Sequence, residues 1–85
     1  MVHFALTPQG FAEAIALAQG KHAVWCTASA ASQEQIAAMQ ADNVSRFVYT
    51  LAELLSDPSQ MAGALDTIAQ HHPDERIWVE HVEPA

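Results

Sequence analysis

The chain alternates between short apolar runs and longer stretches with helical spacing. Val2–Leu6 places Val2, Phe4 and Leu6 on one face. The run from His22 to Thr27 is short and almost wholly apolar, Val44–Tyr49 is β-branched and aromatic, and Arg76–Val82 alternates near its end. These four runs suit a pleated, mostly buried surface and are expected as strands. Between them the apolar spacing becomes helical. After Thr7-Pro8, a hydroxyl cap with proline in the first turn, Phe11, Ala14, Ile15 and Ala18 share a face, and Gly20 is a natural stop. Ser32 with Gln35 three residues later has capping-box spacing and opens a second helix, whose apolar face of Ile36 and Met39 is thin and whose end is expected at Asp42-Asn43. Thr50 and Glu53 repeat the pattern ahead of Leu51, Leu54 and Leu55. Ser56-Asp57-Pro58 then interrupts and restarts a helix carrying Met61, Leu65, Ile68 and His72, which Pro73 ends. The tail Glu83-Pro84-Ala85 is expected to fray.

The order β-α-β-α-β-α-β implies right-handed crossovers and a small, open, mostly parallel four-stranded sheet, so the fold class is α/β. The second strand is the most apolar and belongs inside the sheet. The charged third and fourth strands suit the edges. This gives the order 3-2-1-4, half of a doubly wound fold, with the first two helices on one face and the third helical region on the other. The alternative order 1-2-3-4 would leave one face bare for a face-to-face dimer.

Composition narrows the class. Residues 1–85 fit one domain, 51% of them hydrophobic and 15% charged, which excludes a disordered acidic linker. Alanine is abundant, so the core is thin, and burial completed by a second copy is an expectation. The formal charge is −7, with Lys21, Arg46 and Arg76 the whole basic set, too few for a nucleic-acid surface and of the wrong balance for an anionic membrane. No apolar run reaches a membrane span, and the first residues lack the basic start of a secretion signal. A single cysteine allows no internal disulfide, so a cytoplasmic location is expected.

In such a sheet, ligands sit beyond the carboxyl ends of the strands. Thr7, Thr27, Ser29, Ser32 and Thr50 gather there as ligand-binding candidates, although helix capping explains Thr7, Ser32 and Thr50 equally well. Cys26 ends a strand just before a helix, where a thiolate is favoured, and His81 ends another strand as a conceivable base. If anything here is catalytic, it is this pair. Trp25-Cys26-Thr27-Ala28-Ser29 resembles the thioredoxin-type Trp-Cys-x-x-Cys motif with serine at the second cysteine, which implies thiol redox chemistry. Cys26 to Ser32 is similar in spacing to the Cys-x5-Arg loop of tyrosine phosphatases and rhodaneses, with serine for the arginine that would clamp an oxyanion. A buried cysteine packing as a small hydrophobe is the plainer reading.

With glycine only at 10, 20 and 63, no phosphate or dinucleotide loop is present, and no cofactor is expected. The five histidines lack metal-site spacing, and no metal is expected. Carboxylates such as Glu13, Glu34, Glu53 and Asp66 stand singly on helix faces and form no acid–base pair. Trp25 and Trp78 fit a core. If the face of Trp78 were bare, it would join Phe47 or Tyr49 in an apolar patch.

The sequence therefore points to a small acidic binding or regulatory module without catalysis, pairing with itself or another protein through an apolar sheet face or edge. Two other readings stand beside it: a thiol-dependent enzyme or redox protein using Cys26, and an acidic inhibitor of a basic protein.

Overall fold

A computed structural model of the chain describes residues 1–82; the tail at 83–85 lies outside the described residues. The elements run β1 (Val2–Ala5), α1 (Pro8–Ala18), β2 (Ala23–Cys26), α2 (Gln33–Met39), β3 (Val44–Arg46), α3 (Leu51–Ser56), α4 (Pro58–His71) and β4 (Ile77–Val79). The sheet has the order β3-β2-β1-β4, and every neighbouring pair is parallel. The expected α/β architecture and strand order are therefore present, and "mostly parallel" becomes fully parallel.

Local chemistry explains the helix starts. The Thr7 hydroxyl accepts from the Gly10 N–H, Ser32 from Gln35, and Thr50 and Glu53 form a reciprocal capping box. Asp57 then accepts from the Ser59 N–H, so the interrupted third region is two helices meeting at one residue. The end of one helix and the extents of the strands differ from expectation. α2 stops at Met39 with Gln40 in the left-handed region, ahead of Asp42-Asn43. Asn43 instead ties the start of β3 by donating its amide to the His22 carbonyl at 2.9 Å. All four strands are also shorter than the apolar runs that contain them.

Two cores lie on the two sheet faces. Phe11, Ala14 and Ala18 of α1 pack with Ala5, Val24 and Cys26, and Ile36 and Met39 of α2 join them partly buried. Val2, Phe4, Leu6 and Trp25 face Leu54, Ala64 and Ile68 of α3 and α4. No residue of α2 is fully buried, as its thin apolar face implied. Among the described residues, no helix is long and apolar enough to cross a membrane.

The order leaves one part of the sheet bare. The crossovers of α1 and α2 run from β1 toward β3, so the α1 side of β4 has no helix over it. Trp78 lies there, paired in register with His3, and is 50% exposed. Phe47 and Tyr49 pack on the opposite face, against Phe4 and Trp25. The patch expected from Trp78 with Phe47 or Tyr49 therefore does not form. The even positions of β4 look one way, and the aromatic cluster sits on the other side.

Candidate functional site

At the carboxyl edge of the sheet, the five hydroxyls hold the fold together. Thr27 is fully buried; its hydroxyl donates to the Leu6 carbonyl at 2.9 Å and accepts from the Ala30 N–H at 3.1 Å. Ser29 accepts from the Leu51 N–H at 3.0 Å, joining the β2–α2 loop to the start of α3. Ser32 and Thr50 cap α2 and α3. Thr7 caps α1 and also donates to Glu80 at 2.5 Å. The edge thus pairs Ser29 with α3, Thr27 with β1 and Thr7 with the end of β4. Ser32 stands apart at the head of α2.

Cys26 is fully buried in the core beneath α1 and α2. Burial pushes its thiol up from 9.0 to about 11, against the pull of the nearby Arg46 guanidinium. Arg46 itself donates to the Ala31 carbonyl at 2.7 Å and to the Ala28 carbonyl at 3.4 Å, so it braces the loop that follows the cysteine. His81 follows β4, and β1 lies between β4 and the strand of Cys26. Two strand spacings separate them, about 10 Å. The sheet does not bring this pair into contact.

Glu80 is the residue that sequence reasoning passed over. Its Oε1 accepts from the N–H groups of Leu6 at 2.7 Å and Thr7 at 2.8 Å, and its Oε2 takes the Thr7 hydroxyl. The carboxylate therefore occupies the anion-favouring N-terminus of α1. A Cβ on Gly10 would overlap it, so glycine there leaves room for the clamp. A second unforeseen tie lies on the opposite face. The Trp25 indole N–H donates to His72 Nε2 at 3.2 Å, and His72 Nδ1 faces Glu75 Oε2 at 3.2 Å. Accepting at Nε2 requires a neutral ring with its proton on Nδ1, directed at Glu75. Glu75 also takes the N-terminal ammonium at 2.7 Å, which holds its carboxyl below the usual range, with His72 adding to the effect.

The open surface runs along α1 and β4. A groove of about 400 Å³ lies between them, with Gln9, Glu13 and Leu17 on the helix and Trp78, Glu80 and His81 on the strand side. It continues into an apolar hollow of about 370 Å³ lined by Met1, His3, Leu17, His22 and Trp78. Leu17 is 68% exposed and Met1 44%. Burial, the His22 ring and the N-terminal ammonium hold His3 below the ordinary histidine range, which favours its uncharged form beside the tryptophan. Arg76 lies over the Trp78 ring at 5.9 Å. Among the described residues no group of three or more His, Cys, Asp or Glu is placed to hold a metal. No family model matches the chain, and no curated protein or solved structure matches it either.

Proposed function

We propose that this chain is a non-catalytic binding module that self-associates through β4 and the bare sheet face beside it. The carrying observation is the half-exposed Trp78 on an edge strand whose α1-side face no helix covers. Leu17, Met1 and Val79 are also exposed on or beside this strand, and buried tryptophans are common anchors of protein interfaces. An edge strand carries unpaired backbone groups, which a second copy satisfies by extending the sheet. The engaged hydroxyls and the protonated, buried thiol support binding over chemistry at the carboxyl edge. A cytoplasmic setting, where the lone thiol stays reduced, belongs to the same proposal.

Sedimentation velocity over about 1–500 μM protein tests it. The expected result is a rise from the 9.2 kDa monomer toward twice that mass, abolished by Trp78→Asp, which puts a charge in the apolar contact, with the circular dichroism unchanged. A chain that stays monomeric over the whole range overturns the proposal.

A further inference from the structure

Resting on that self-association, we infer that two copies join by antiparallel pairing of their β4 strands about a dyad at Trp78. The backbone of β4 selects this register. Val2 N–H donates to the Arg76 carbonyl and Glu80 N–H donates to the Phe4 carbonyl. Backbone groups alternate sides along a strand, so residues 76, 78 and 80 turn theirs toward β1, and Ile77 and Val79 turn theirs outward.

In an antiparallel pair centred on residue 78, Ile77 stands opposite the partner's Val79, and the outward groups of both meet as hydrogen-bonded pairs. Trp78 then meets the partner's Trp78 at the close, non-hydrogen-bonded position, with Cα atoms about 4.5 Å apart. Side chains match as well. Arg76 falls opposite the partner's Glu80 at both ends, which sets a guanidinium stacked on its own Trp78 beside a carboxylate that stays on the start of α1 through Oε1 and whose Oε2 accepts one bond, from Thr7. The run Arg-Ile-Trp-Val-Glu is thus complementary to itself in reverse, with opposite charges outside and apolar residues within. The other edge, β3, lacks this pattern. Its Arg46 is already turned onto the Ala28 and Ala31 carbonyls.

Three single-cysteine additions test the register under mild oxidation, with the wild-type chain and its buried Cys26 as control. The expected result is a rapid disulfide dimer for Trp78→Cys, since a residue on the dyad meets its own copy within bridging distance. Ile77→Cys and Val79→Cys should cross-link at least tenfold more slowly, because each meets the other residue. Arg76→Glu, which sets carboxylates opposite one another, should weaken association of the uncross-linked chain roughly tenfold or more. A dimer in sedimentation whose Trp78→Cys form does not cross-link, or whose Ile77→Cys form cross-links as fast, overturns this register and leaves self-association standing. A monomer in sedimentation overturns both.

Discussion

Removing the Glu80 carboxylate should loosen the join between the last strand and the first helix. The side chain accepts two backbone N–H bonds at 2.7 and 2.8 Å and the Thr7 hydroxyl at 2.5 Å, across 73 to 74 residues of sequence. Hydrogen bonds to a charged group contribute about 1.5–3 kcal/mol each. These three share one half-buried carboxylate and do not add fully, so Glu80→Ala should cost roughly 2–3 kcal/mol. In a domain of this size each kcal/mol lowers Tm by roughly 4–8 °C, giving a loss of roughly 10–20 °C. Thermal and urea unfolding at two protein concentrations tenfold apart separates this loss from any contribution of association.

Gly10 supplies a sharper test of the same clamp. All three atoms nearest to its would-be Cβ belong to the Glu80 carboxyl group. Gly10→Ala in the wild-type chain should evict the carboxylate and destabilise by about 1–2 kcal/mol, since alanine returns only about 0.5–1 kcal/mol of helix preference. In the Glu80→Ala background the obstruction is gone, and the same substitution should stabilise by about 0.5–1 kcal/mol. The effect changes sign with the background. Equal effects of Gly10→Ala in both backgrounds, or a Glu80→Ala loss under 0.5 kcal/mol, would refute the clamp.

Three further outcomes follow from Cys26 and His72. Cys26 should react with iodoacetamide at least about 100-fold more slowly in the native than in the unfolded chain, from a thiol pushed up by burial to about 11 and shielded from solvent. Because the folded state holds this proton longer, stability should fall as pH rises from 9 to 11, by about 3 kcal/mol in all, and a native thiol titrating below pH 7 would restore the thiol-enzyme reading. His72→Phe should leave the Trp25 N–H without its acceptor at a cost of about 1–3 kcal/mol, and His72→Gln should recover much of it; equal stability of the two variants would show that the bond contributes nothing.

The parts of the fold that depend on neighbours in sequence were legible. Thr7, Ser32, Thr50 and Asp57 each start a helix where capping chemistry requires, and the strand order followed from the apolar second strand and the charged third and fourth. What depends on partners far along the chain was not. Glu80 read as an ordinary edge-strand charge, because nothing local shows that α1 begins against it. His72 read as part of an apolar stripe, because its bond to Trp25 spans 47 residues. Trp78 was assigned the wrong neighbours for a related reason. Alternation tells which residues share a face with it, and only the sheet register tells which face of a neighbouring strand that is.

Charge separates the self-associating reading from the acidic-inhibitor reading without any variant. Two copies that each carry −7 repel one another at long range, and the local Arg76–Glu80 attractions act only on contact. Salt screens the long-range part over about 10 Å at 0.1 M, so raising it from about 0.02 to 0.15 M should strengthen self-association until the local pairs begin to weaken. An acidic chain masking a basic partner behaves in the opposite way, since the attraction that guides that encounter is lost to the same screening. Sedimentation of the pure chain across this range therefore tests the sign. Association that weakens steadily from the lowest salt would mean that contact charges dominate the interface and that the apolar centre at Trp78 contributes little.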